Sequence, residues 1–171
     1  MAGADVTSRE GARRIVLALE AAGVSLVPTV PDTWIGWLME PMRASRRLRV
    51  IDVAREEEAI AIACGATLMG ERAAVVIQNA GLLNSGAVIA SLVQLYRVPV
   101  FLLVSYRGDV RDPVYYHAPK GRATEPTLTA WSLRFARAEP TRIAAQVAQA
   151  YAFMDETREP FVLLFSAEDL A

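Results

Sequence analysis

The sequence predicts an α/β chain, three layers deep, with a six-stranded parallel sheet between two layers of helices. Two observations predict it. Strand-like apolar runs alternate with helix-patterned segments from end to end, and the runs are apolar on both faces, as strands covered on both sides must be. Thr7 and Glu10 have the spacing of a capping box, Ile15, Leu17, Ala18 and Leu19 follow as a helical pattern, and Gly23 offers a stop. Residues 24–30 read as the first strand, ended by Pro31. Residues 33–44 form a helix with Trp34 and Trp37 on one face, residues 48–53 the second strand, and residues 55–69 a long helix closed by Gly70. The third strand is 73–77, followed by a turn rich in Asn and Gly. A helix over 85–96 leads to the most apolar strand, 99–104. Residues 105–122 read as a long irregular stretch. A short helix near 125–132, a strand at 134–138, a helix at 142–154 and a strand at 161–165 complete the order.

Length and composition narrow the function. A chain of 171 residues, 53% apolar, fits one domain spanning 1–171. Eighteen basic and nineteen acidic residues give a net charge of −1, and the isoelectric point is about 5.9, which argues against nucleic-acid binding. A single cysteine, Cys64, excludes an internal disulfide and fits a reducing compartment. The polar first residues carry no apolar signal core, and no run reaches the ~18 residues that span a bilayer, so a cytoplasmic protein is expected.

In sheets of this kind ligands sit at the carboxyl ends of the strands. The segments to read for chemistry are therefore 31–33, 54–57, 78–84 and 105–124. The strongest signal is Arg55-Glu56-Glu57-Glu58 followed by Ala59-Ile60-Ala61-Ile62-Ala63-Cys64-Gly65. Acidic residues favour the first turn of any helix through its dipole. Successive helical residues point about 100° apart, however, so the three carboxylates cannot share one environment. At least one faces an apolar site, where a carboxyl group can act as acid or proton relay. His117, the only histidine, lies in the long stretch; a lone histidine is more commonly a surface or hydrogen-bonded residue than a catalyst. Arg107, Lys120 and Arg122 are candidates for gripping a substrate anion, against the plain alternative of solvated loop charge. Cys64 reads as an inert buried residue, and the two tryptophans as core or interface anchors.

Four stretches in order resemble the pyrimidine-binding part of thiamine diphosphate-dependent decarboxylases of the sulfopyruvate and phosphonopyruvate type. They are Val30-Pro31-Asp32-Thr33, the Glu56 helix with Gly65 nine positions on, Gln78-Asn79-Ala80-Gly81 with Asn84-Ser85, and Tyr96-Arg97-Val98-Pro99 leading to Ser105-Tyr106-Arg107-Gly108. Gly81 and Asn84 match the family's Gly-Pro-Gly-x-x-Asn turn, whereas Asn79 and Ala80 do not. The resemblance implies that Glu56 bonds the aminopyrimidine ring and that Pro31, Asn79, Gly81 and Asn84 line the cofactor. It further implies His117 or Asp32 as proton donor and Arg107, Lys120 or Arg122 at the substrate anion. The Gly-Asp-Gly motif with which this family holds Mg2+ and diphosphate does not occur in the sequence. The resemblance thus implies a partner (beta) subunit carrying that motif and the metal, with two or more copies of each chain and no metal ligand here. The alanines of the Glu56 helix, Ala59, Ala63 and Ala66, are expected to pack across that junction. Two other outcomes fit the same residues: an acetolactate-type carboligase subunit, and a non-catalytic binding or regulatory subunit.

Overall fold

A computed structural model describes residues 4–110 and 112–170, with side chains from residue 10 onward. Six parallel strands form one sheet: β1 Val24–Thr29, β2 Arg49–Asp52, β3 Arg72–Gln78, β4 Phe101–Ser105, β5 Arg134–Arg137 and β6 Phe161–Phe165. Their order is β2-β1-β3-β4-β6-β5, all neighbours parallel. The expected architecture is the one observed, and each strand falls within two residues of its expected bounds.

The helices are α1 Ala4–Ala21, α2 Ile35–Ala44, α3 Glu56–Leu68, α4 Asn79–Asn84, α5 Gly86–Val88, α6 Ala118–Ala130 and α7 Ile143–Thr157, with a π-helical segment, Ile89–Gln94, continuing α5. One core cluster lies between α1, α2, α7 and one face of the sheet, around Leu19, Leu38, Phe101 and Phe165. A second lies under α3, α4 and α6 on the other face, around Ile60, Ile77, Leu102 and Leu128. The central strand β4 is buried at every position, which is why its sequence lacks the alternation of a half-exposed strand. No described helix is long and apolar enough to cross a membrane.

Four local expectations are corrected. Helix α1 begins at Ala4, so Thr7 lies inside it and does not cap it. The Asn- and Gly-rich turn after β3 is itself a short helix, α4. Helix α6 starts at Ala118, well before the expected residue 125. Prolines mislead in that segment. Pro119 occupies the first turn, where its missing N–H costs nothing, and α6 runs on through Pro126. Finally, Ala59 and Ala63 are fully buried in this chain's own core, with Ala66 packed against it. Ala59 and Ala63 bring α3 close to its own sheet and have no surface left for a partner, whereas Ala66 is only partly covered.

Candidate active site

The strand order reverses on either side of β1: β2 lies to one side of it and β3 to the other. At the carboxyl edge of such a reversal the two following loops diverge and leave a crevice. Asp32, just after β1, stands there as a hub. Its Oδ1 accepts the backbone N–H groups of Trp34 and Ile35 at 2.9 and 2.7 Å, and so caps α2. Its Oδ2 accepts Gln78 Nε2 at 2.7 Å, Ser105 Oγ at 3.1 Å, and Arg107 through Nε at 3.0 Å and Nη2 at 2.9 Å. One carboxylate thus ties the ends of β1, β3 and β4.

The electrostatics follow from that environment. Burial alone would raise the Asp32 pKa, but the Ile35 N–H, Gln78 and the Arg107 guanidinium outweigh it and hold it below the ordinary value. Asp32 is thus held as an ionised acceptor in this arrangement, with both oxygens already bonded. Arg107 is its partner. The side chain is 6% exposed, pairs with Asp32 through Nε and Nη2, and lies 3.6 Å over the Trp34 ring, so a structural role is the one the contacts support.

Asn79 is likewise a staple. It is fully buried, donates from Nδ2 to Arg107 O and Thr124 Oγ1 at 2.9 Å each, and accepts the Arg107 N–H at 3.3 Å. Both ends of its amide are used within the chain, which gives it a structural role here. Lys120, on the first turn of α6, reaches into the same cluster and donates to Gln78 Oε1 at 2.7 Å. Partial burial, and then the nearby Arg107 charge, lower its pKa. Arg122 and Asn84 are exposed, and neither makes a hydrogen bond or ion pair among the described residues. Pro31 is exposed at the end of β1.

The three acidic residues of α3 have separate surroundings, as the 100° rotation requires. Glu58 Oε2 accepts the N–H groups of Ala54 and Arg55 at 3.1 and 3.2 Å, reaching back to cap its own helix. Glu57 pairs with Arg55 at 3.1 Å. Glu56 is half-buried, and its carboxyl has no partner among the described residues. It lies against Gly81 of α4, where a methyl group on the Gly81 Cα would overlap the Glu56 side chain. Gly81 is itself buried, and Ser85 Oγ donates to its carbonyl at 2.7 Å.

His117 has a partner that the sequence did not disclose. His117 Nδ1 lies 2.8 Å from Asp112 Oδ2. The segment is folded back by a close backbone approach of Gly108, at φ +83°, to His117 and Gly121, where neither glycine has room for a Cβ. Cys64 is buried, and burial pushes its thiol up to about 11, in keeping with an inert residue. Trp37 is 41% exposed and lines a groove of about 370 Å³ on the outside of α1 and α2.

A half-buried carboxyl without a described partner, seated on a glycine, and a hydrogen-bonded polar cluster around Asp32 both lie at the carboxyl edge of a parallel sheet, where α/β domains of this class bind ligands. Comparison with known proteins makes this specific. Residues 9–118 match the thiamine pyrophosphate enzyme N-terminal TPP binding domain. The chain is 30% identical to the sulfopyruvate decarboxylase subunit alpha of Methanocaldococcus jannaschii, covering 92% of this chain and 94% of that one. It is 32% identical to the phosphonopyruvate decarboxylase of Streptomyces viridochromogenes, covering 72% of this chain but 32% of that longer protein. Among solved structures, benzoylformate decarboxylase from Polynucleobacter necessarius superimposes with a TM-score of 0.73 at 18% identity, over 93% of this chain and 30% of that one. The chain belongs to the thiamine pyrophosphate enzyme family, as a bearer of its N-terminal TPP binding domain.

Proposed function

We propose that residues 1–171 form the pyrimidine-binding subunit of a two-subunit 2-oxo acid decarboxylase that acts on sulfopyruvate or phosphonopyruvate and releases an aldehyde and CO2. The observation that carries this reading is Glu56: a half-buried carboxyl with no described partner, beside a glycine that leaves room for nothing else. Its chemistry fits the cofactor, since a carboxyl can bond a pyrimidine ring nitrogen and exchange a proton with it. The exposed Asn84 amide and the backbone at Gly81 are the neighbouring groups that would hold the ring. Bound thiamine diphosphate supplies an electron sink for the pair left on carbon when CO2 departs.

The remaining residues divide the work. Asp32, Arg107 and Asn79 keep the ends of β1, β3 and β4 and the start of α6 in register. Lys120 is the cation placed to meet the substrate's second anionic group, now that Arg107 is committed elsewhere. Lys120→Ala should therefore raise the Michaelis constant roughly tenfold or more, the equivalent of losing one charge-assisted hydrogen bond of ~1.5–3 kcal/mol. Steady-state kinetics with both substrates checks this; unchanged constants in Lys120→Ala, Arg122→Ala and Arg107→Ala together would put the anion pocket on the partner.

The diphosphate and Mg2+ belong, in this reading, to a second subunit bearing Gly-Asp-Gly. The isolated chain should then bind thiamine diphosphate weakly or not at all, with or without magnesium. The two-subunit complex should bind it tightly. Calorimetry that finds tight, magnesium-dependent binding to the chain alone would sink the split-site reading.

A further inference from the structure

The His117 ring is held from two directions. Nδ1 faces Asp112 Oδ2 at 2.8 Å, and Tyr116 meets the ring edge-on, with centroids 4.7 Å apart and planes at 78°. The Asp112 side chain is 1% exposed and that of His117 11%. Asp112 also accepts two backbone N–H groups, Gly108 on Oδ2 at 2.8 Å and Val114 on Oδ1 at 3.0 Å.

These contacts decide where a proton sits. Burial alone would raise the Asp112 pKa, but the two backbone N–H groups and the imidazole bring it below its ordinary value. An ionised carboxylate only accepts hydrogen bonds. The proton shared between Asp112 and His117 therefore resides on Nδ1. In the neutral ring the lone pair must then be on Nε2, which has no partner among the described residues.

We propose that Asp112 is the positioning residue of this site: it holds His117 as the Nδ1–H tautomer and leaves Nε2 as the one nitrogen that can exchange a proton with a ligand. A proton taken up at Nε2 from water can be passed to the reacting carbon. The ring then returns to neutral, with Nδ1 protonated throughout. The catalytic use rests on the decarboxylase reading, but the tautomer does not. Gly108 serves the same end, because its left-handed backbone turns the N–H toward Asp112 Oδ2 while passing against the His117 carbonyl.

The chain has a single histidine, which makes the test direct. With 15N-histidine incorporated into this chain only, long-range proton–nitrogen NMR reads both ring nitrogens, alone or in complex with an unlabelled partner. At a pH where the ring is neutral, Nδ1 should resonate as a protonated nitrogen and Nε2 as a bare one. In Asp112→Asn the two resonances should converge as the tautomers mix. A wild-type ring protonated on Nε2 overturns the proposal, and this measurement decides even if the variant fails to fold. A folded variant with an unchanged spectrum overturns it equally. In the assembled enzyme Asp112→Asn should lower kcat roughly 10- to 100-fold with little change in KM, and should add nothing to the loss caused by His117→Gln. Equal losses in both backgrounds would mean that Asp112 only shapes the segment. The expected tautomer in a complex that decarboxylates neither substrate would support the assignment and overturn the functional reading.

Discussion

Glu56→Gln is expected to abolish most turnover while leaving the fold and assembly intact. The substitution keeps the side chain's size and one acceptor oxygen, so the contact with Gly81 is preserved and no cavity opens. What is lost is the capacity to exchange a proton, and general acid–base steps are commonly worth ~100- to 10,000-fold. The most direct readout is exchange of the cofactor's thiazolium carbon proton in deuterium oxide, followed by NMR in the complex. Neighbouring residues supply controls. Glu57→Gln removes a charge that pairs only with Arg55, and Glu58→Gln keeps an oxygen to receive the Ala54 and Arg55 N–H groups. Both should leave exchange nearly untouched. Wild-type exchange in Glu56→Gln would remove the basis of the reading, and a large loss in Glu57→Gln would move the function one position along α3.

Arg107→Met is expected to act on stability. Breaking a buried ion pair from one side leaves the other charge uncompensated, a cost of about 3–5 kcal/mol. The abandoned Asp32 would keep only Gln78, Ser105 and its two backbone donors. For a chain of this size such a loss lowers Tm by roughly 10 °C. The double variant Asp32→Asn with Arg107→Met should recover part of the deficit, because no charge is then stranded. The pH dependence has a defined sign. Asp32 is held below its ordinary value in the folded chain, so its contribution is complete above about pH 4 and is lost as the pH falls through the lowered value. Thermal melts between pH 2 and 7 should show that extra slope in the wild type and lack it in the double variant. A stable Arg107→Met with a raised Michaelis constant would instead return Arg107 to the substrate.

What was readable in the sequence divides by the range of the interactions. Strands and their burial are written locally: five successive buried residues in β4 must look apolar, and Phe101 to Ser105 does until its last position. Glu56 was legible because helical geometry separates adjacent side chains by angle alone. The roles of Asp32 and Arg107 were not, because their pairing spans 75 residues and depends on the order of the strands. Either residue by itself resembles an available charge. Asp112 was hidden differently. It lies only five residues before His117, but the contact needs the chain to turn between them, through the Val114 N–H on Asp112 and the single 3-10 turn Tyr115–His117. The beginning of α6 was obscured by its prolines, since a pattern reading treats as a break what the first turn of a helix accepts.

The glycine pair that closes this segment has a consequence for divergence. Gly108 and Gly121 bring their backbones into contact and so pin together the two ends of the stretch between β4 and α6. Closing such a loop costs free energy that grows only with the logarithm of its length, about 0.6 kcal/mol per doubling. The length between the two glycines is therefore cheap to change where side chains face solvent, as at Val110, Tyr115 and Tyr116. The histidine, its aspartate and the lysine are tied back to Gly108 and Gln78 and stay with the pinned ends. Glu56 and Gly81 lie outside the stretch, on α3 and α4. Variation in this segment is thus expected to fall on its solvent-facing side chains and to spare the pinned ones.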